Sequence, residues 1–175
     1  MGFRLMSLWF RLRDRLNPPI ALLREAGVLP GMTVLDFGCG PGGFALAASK
    51  LVGPNGLVFA LDRNPLAASM VQKAAERQDL HNLRTILADE PSGVPPGTVD
   101  FALLYDVLHA LSDPGRILKG LRRALKPAGI LSAGDHHLRE SALLSTVTGK
   151  GIFAFLYRSS RTFQFRPIEP NEKTP

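Results

Sequence analysis

The sequence predicts a single α/β domain. A mostly parallel sheet of seven strands is covered by helices on both faces, giving a three-layer αβα sandwich whose sheet ends in an antiparallel strand. Three observations carry this expectation. Short apolar runs alternate with helix-period segments between residues 33 and 134. A glycine-rich loop follows the first of those runs directly. The last two apolar runs, Ile152–Tyr157 and Thr162–Phe165, are separated only by "RSSR", a hairpin signal. Strands alternating with helices at this spacing call for right-handed crossovers and parallel neighbours.

Along the chain, Leu8, Trp9, Leu12 and Leu16 recur at helical spacing and predict a helix over 7–16, stopped by Asn17-Pro18-Pro19. Pro19 suits the first turn of a second helix to Ala26. Thr33–Phe37 reads as the first buried strand, the alanine-rich 42–51 as a helix, and "GPNG" at 53–56 as a turn. Leu57–Leu61 is the second strand. Asn64-Pro65 pairs an N-cap with a proline at the first helical position, opening a helix to Arg77. Asn82–Leu87 is the third strand, and a Pro- and Gly-rich loop fills 89–98. Val99–Leu104 is the fourth strand. Asp113-Pro114 repeats the capping device before a helix that ends ahead of Lys126-Pro127. Gly129–Gly134 is the fifth strand, and a short helix over 139–148 precedes the hairpin.

The 175 residues, 45% of them hydrophobic, suffice for one core. A mean hydropathy of +0.07 and 21% charged residues exclude a disordered chain. No apolar run reaches the length of about eighteen residues that a spanning helix needs. Cys39 is the only cysteine, so neither an internal disulfide nor a cysteine metal cluster exists. These features fit a cytoplasmic protein. The net charge of +6 is partly local: five arginines fall in the first 25 residues, and Arg116, Lys119, Arg122, Arg123 and Lys126 cluster together. The expectation is a solvated basic surface. A nucleic-acid partner is not expected, because no basic-aromatic platform is visible.

The stretch "VLDFGCGPGGF", residues 34–44, fits two patterns. Gly38, Gly40 and Gly43 satisfy G-x-G-x-x-G, which seats a pyrophosphate. Asp36, Gly38, Gly40 and Gly42 satisfy D-x-G-x-G-x-G. Asp36 would repel a pyrophosphate and attract an amine or a sulfonium. Pro41 removes a backbone donor that a pyrophosphate would use. Asp62, ending the second strand, suits ribose hydroxyls in either case. "LADE" after the third strand and "VDFALLYDVLHAL" over the fourth have no part in dinucleotide binding.

Taken together, these segments and "LKPAGILSAGD" resemble class I S-adenosylmethionine-dependent methyltransferases, in particular the UbiE-like small-molecule group. The resemblance covers about residues 30–167 and implies a Rossmann-like fold. It implies that Gly38, Gly40 and Gly42 pass under the methionyl part of S-adenosylmethionine and that Asp36 supports its amino group. Asp62, with Arg63 beside it, would hold the ribose. Asp89 would accept from the adenine amino group, with Ala88 against the ring, and the backbone near Tyr105 would approach the methionyl amine. Residues 29–168 would form this domain, 1–28 a lid of helices, and 169–175 a tail. Residues 1–16 could alternatively touch a membrane and meet a lipid-like substrate.

Methyl transfer from a sulfonium needs alignment and, for a protonated acceptor, a base. His136 and His109, near the ends of the fifth and fourth strands, are the candidate bases, with Asp106 and Asp135 beside them; His137 ranks below both. Three other readings compete: a catalytically inactive cofactor-binding module, an NAD-dependent oxidoreductase, and a metal-dependent catechol-type O-methyltransferase. The last would use Asp106, Asp135 and His136, though His stands where that group has Asn. The leading expectation includes no metal. The methyl acceptor and the oligomeric state are not legible.

Overall fold

The computed structural model describes residues 19–169, which fall into two compact units, the first ending at Asp89 and the second beginning at Glu90. The helix expected at 7–16, the contact assigned to residues 1–16 and most of the 169–175 tail lie outside the described residues. Seven strands form a mixed sheet.

The first unit runs α1 (Pro19–Ala26), β1 (Thr33–Phe37), α2 (Gly43–Val52), β2 (Leu57–Asp62), α3 (Pro65–Arg77) and β3 (Leu83–Leu87). Its strands lie in the order β3-β2-β1, all parallel, with Leu35 opposite Phe59 and Ala60 opposite Thr85. Val34, Leu35, Val58 and Leu61 are buried, as expected of strands covered on both faces. Small residues on the helices, Ala45, Ala48, Ala67 and Ala75, let them lie close to the sheet. The Asn64 side chain accepts from the Leu66 amide at 3.0 Å with Pro65 in the first turn, as the sequence predicts. Asn82 donates to the carbonyls of Ser49 at 2.9 Å and Gly53 at 2.7 Å. It thereby satisfies acceptors at the end of α2 and ties them to the entry of β3.

The second unit runs β4 (Val99–Tyr105), α4 (Pro114–Ala124), β5 (Leu125–Gly134), α5 (Glu140–Thr148), β6 (Phe153–Arg158) and β7 (Phe163–Pro167), with short 3-10 turns at Pro91–Gly93 and Leu108–Ala110. The order is β4-β5-β7-β6. β5 is parallel to β4, and β7 is antiparallel to both β5 and β6, so β7 is the strand that runs against the others. Asp113 caps α4 by accepting from the Arg116 amide at 3.0 Å.

β5 starts earlier than expected, at Leu125 rather than Gly129. Leu125 pairs with Val99, and the next aligned pair is Phe101 with Ile130. Residues 126–129 therefore bulge, because Pro127 has no amide to give the ladder. Lys126 turns back and donates to Asp100 at 2.6 Å.

The basic residues of α4 are largely occupied within this unit. Arg123 donates to the carbonyls of Pro91, Ser92 and Val94, closing the Pro-rich loop. Arg122 pairs with Glu169 at 3.2 Å and Arg116 with Glu90 at 3.9 Å. Much of the sequence's basic cluster therefore holds loops and the stretch just after β7.

Candidate functional site

In the first unit the glycine loop turns its donors inward. The amides of Gly38 and Cys39 donate to the Leu61 carbonyl at 2.8 and 3.0 Å, and that of Gly42 to Cys39 at 2.9 Å. The Gly40 amide donates to Asp62 Oδ2 at 2.8 Å, and Asp62 Oδ1 accepts from the Asn64 amide at 2.8 Å. Pro41 has no amide proton. The Gly38, Cys39 and Gly40 amides are thus spent on the end of β2 and on Asp62 and are not offered to a pyrophosphate.

Gly42 is doubly constrained. Its φ is +91°, and a Cβ there would lie 2.7 Å from Val71 Cγ2. Gly40, at φ +51°, has open space where a Cβ would project, which leaves room for a ligand against the loop. Gly43 is simply the first residue of α2.

Asp36 is 3% exposed, and its Oδ2 has no hydrogen-bond partner among the described residues. Burial first and the neighbouring Asp62 charge second push its pKa up to about 7; a backbone hydrogen bond from Ala45 works the other way. Such a group accommodates a cationic amine or sulfonium and disfavours a phosphate. The residues present thus fit S-adenosylmethionine. Cys39 is buried, and burial with the Asp36 and Asp62 charges pushes its thiol pKa up, so it packs and does not react. The Ala88 amide donates to the Asp62 carbonyl at 3.1 Å, which joins the chain after β3 to the end of β2. Asp89 and Arg63 are exposed at the ends of β3 and β2.

In the second unit the ends of β4 and β5 exchange carboxylates. Asp106, just after β4, accepts from the His136 amide at 3.1 Å and pairs with His136 Nδ1 at 2.6 Å. Asp135, just after β5, accepts from the His109 amide at 3.0 Å and pairs with His109 Nδ1 at 2.9 Å. It also accepts from the His137 amide at 3.0 Å. The Asp135 side chain is wholly buried. Burial opposes its charge, but the His109 side chain and the two amides outweigh that and hold its pKa below the usual carboxylate range. Asp106 adopts a left-handed φ of +54°, which aspartate tolerates better than most residues.

His137 completes the cluster, its ring centroid 4.2 Å from that of His109 and 3.9 Å from that of His136. The sequence reading ranked it lowest; its position between His136 and the chain after β5 was the available signal. In a neutral imidazole whose Nδ1 donates to a carboxylate, Nε2 keeps the lone pair. Asp106, Asp135 and His136 do not form a metal set, and no group of three metal-capable side chains occurs among the described residues.

Tyr105, expected to act through its backbone, has a buried side chain. Its hydroxyl bonds Ser132 Oγ at 2.7 Å. Ser132 in turn donates to the Gln164 amide oxygen at 3.2 Å, which also accepts from Thr162 Oγ1 at 2.8 Å. The signal that could have revealed this chain is a Ser and a Gln inside otherwise apolar strands.

The sequence profile described as a methyltransferase domain matches residues 29–153. The chain belongs to this family. It is 32% identical over 124 residues to the protein-L-isoaspartate O-methyltransferase of Pyrococcus horikoshii, covering 70% of this chain and 53% of that protein. It is 30% identical over 136 residues to the ubiquinone/menaquinone biosynthesis C-methyltransferase UbiE of a Marinomonas species, covering 77% of this chain and 54% of the relative. The chain therefore spans about half the length of these curated relatives. The crystal structure of a SAM-dependent methyltransferase from Aquifex aeolicus superposes with a TM-score of 0.77 at 25% identity, covering 89% of this chain and 91% of the other. The mixed sheet and antiparallel β7 are thus the Rossmann-like fold of class I methyltransferases, as the sequence resemblance implied.

Proposed function

We propose that this methyltransferase-family chain uses S-adenosylmethionine to methylate a small-molecule acceptor by in-line displacement. The observation that supports this most is the orphaned Asp36 oxygen beside a loop whose amides are turned inward. S-adenosylmethionine supplies a methyl group already activated by a sulfonium charge. Asp36 takes the cationic end of the donor. Asp62, fixed by the Gly40 and Asn64 amides, presents its remaining lone pairs to the ribose hydroxyls. Ala88, Asp89, Arg63 and the backbone of Tyr105 take the remaining roles that the family resemblance implies.

The second unit supplies proton removal. His136 Nε2 accepts the proton of the acceptor group, and Asp106 stabilises the resulting imidazolium through Nδ1. His109, oriented by Asp135, offers a second acceptor nitrogen to hold the substrate. The two relatives differ in what their names say they methylate. The Marinomonas protein's role in ubiquinone and menaquinone biosynthesis supports a quinone-type ring here. The reading includes a cytoplasmic location; no helix among the described residues is long and apolar enough to cross a membrane.

Calorimetry with S-adenosylmethionine, S-adenosylhomocysteine and NAD tests the donor. Both sulfur ligands should bind and NAD should not; binding of NAD alone overturns the proposal. Incubating cell extract with labelled donor then identifies the acceptor. Tight binding of S-adenosylhomocysteine with no labelled product would leave a binding module rather than an enzyme.

A further inference from the structure

β6 is the outer strand of the second unit's series, and Phe155, Leu156 and Tyr157 on it are 47%, 40% and 46% exposed. Three consecutive large apolar residues on an open edge are unusual, because such an edge invites pairing with another chain. Here the ladder is broken. Phe155 lies opposite Phe165 and Tyr157 opposite Gln164, so Leu156 is an inserted residue. The bulge is built in. The Gln164 amide nitrogen, buried, donates to the Tyr157 carbonyl at 3.0 Å. A bulge denies a neighbouring strand the regular repeat it needs and turns side chains to both sides of the edge. Phe155 stays with the Phe163 and Phe165 rings on one face, while Tyr157 shares the face of Gln164.

The charge around this edge is net positive, with Asp113 at the start of α4 acting on Lys150. Between residues 139 and 169 the basic residues are Arg139, Lys150, Arg158, Arg161 and Arg166. The acids are Glu140 and Glu169, and each already pairs with an arginine, Arg158 and Arg122. Arg161 sits at the hairpin turn beside Ser159-Ser160, exposed, and Lys150 is exposed just before β6.

We propose that the β6–β7 hairpin is a peripheral docking surface for an anionic lipid bilayer. Phe155, Leu156 and Tyr157 enter the interfacial layer, and Lys150 and Arg161 meet the lipid phosphates. The bulge argues against a second strand, and a purely electrostatic partner such as nucleic acid would leave three exposed apolar side chains unused. Aromatic and aliphatic tips ringed by basic residues match the chemistry of a membrane interface. The surface is separate in sequence from residues 1–16, for which a membrane contact was the alternative to a lid.

The test is co-sedimentation of the full chain with vesicles of equal parts phosphatidylcholine and phosphatidylglycerol, alongside vesicles of phosphatidylcholine only. Binding should be confined to the anionic vesicles and should fall with added salt. The Leu156→Ser/Tyr157→Ser variant, and separately Lys150→Gln/Arg161→Gln, should each weaken it by about tenfold or more. Circular dichroism and cofactor calorimetry should show both variants folded and binding the donor as the parent does. A chain lacking residues 1–16 should keep the binding. The proposal fails if the anionic vesicles do not bind the parent, if neither folded variant weakens binding, or if only the 1–16 deletion abolishes it. It also fails if the parent is a dimer that the Leu156→Ser/Tyr157→Ser variant splits, because the edge then serves a second copy.

Discussion

At the end of β1 an aspartate is sealed from water with one oxygen unpartnered, whereas at the ends of β4 and β5 two aspartates are each closed by an imidazole and a backbone amide. The first arrangement leaves one oxygen unsatisfied, and the cost of burying its charge is relieved by a proton or by a cation. The second is complete in itself and holds its nitrogens in place before any substrate comes. A carboxylate left open and two carboxylates closed by their neighbours are different uses of the same residue type. The difference lies in how many groups meet the charge: a backbone hydrogen bond from Ala45 at Asp36, against an imidazole and one or two amides at Asp106 and Asp135.

The comparison breaks most sharply at Asp36. Asp36→Asn should weaken S-adenosylmethionine binding by about a hundredfold to a thousandfold in calorimetry, the range for removing one partner of a buried charge pair. The same change should stabilise the ligand-free protein at alkaline pH. A carboxyl whose folded pKa is near 7 against an ordinary 3.8 holds its proton more tightly when folded. Its contribution is present below the ordinary value and is lost as pH rises through 7, a loss of up to about 4 kcal/mol. Denaturant melts at pH 5 and pH 8 should show that pH-dependent loss in the parent and not in Asp36→Asn.

On the other side, His136→Ala should lower turnover by about a hundredfold and leave donor affinity unchanged. Unchanged turnover removes His136 as the base. Gly42→Ala sharpens the first unit. Its φ of +91° and the clash with Val71 predict a loss of about 2 kcal/mol in denaturant stability.

The subtlest test is pH itself. Asp135 has a lowered folded pKa, so its stabilisation is present above the ordinary carboxylate value and is lost as pH falls through the folded one. Hydrogen exchange should therefore show the amides of His109 and His137 becoming less protected in strong acid, over a range in which the surroundings of Asp36 do not loosen. Equal loosening of both regions would erase the contrast.

Much of both units was legible because their signals are local. Asn64-Pro65 and Asp113-Pro114 each announce a helix start, and both caps form as read. The ambiguity of "VLDFGCGPGGF" was also local, and Asp36 and Pro41 pointed the right way. The inward turn of the loop amides could not be read, since it depends on where the end of β2 lies. In the second unit the residues were found but not their pairing. Asp106 and Asp135 take each other's neighbouring histidine only because β4 and β5 align in register from Phe101 to Tyr105 and Asp106 turns left-handed. Leu125–Gly129 was misread because a Pro-Gly segment resembles a turn whether it ends a helix or forms a bulge within a strand.

The crossed pairing also has a bearing on the order of folding. Asp106 and His136 are 30 residues apart, and Asp135 and His109 are 26. Neither link can close while α4 is unformed and β5 undocked, because each spans the whole β4–α4–β5 crossover. The histidine rings therefore find their places only once that crossover has docked. Their nuclear resonance signals make a direct clock for the docking of that crossover.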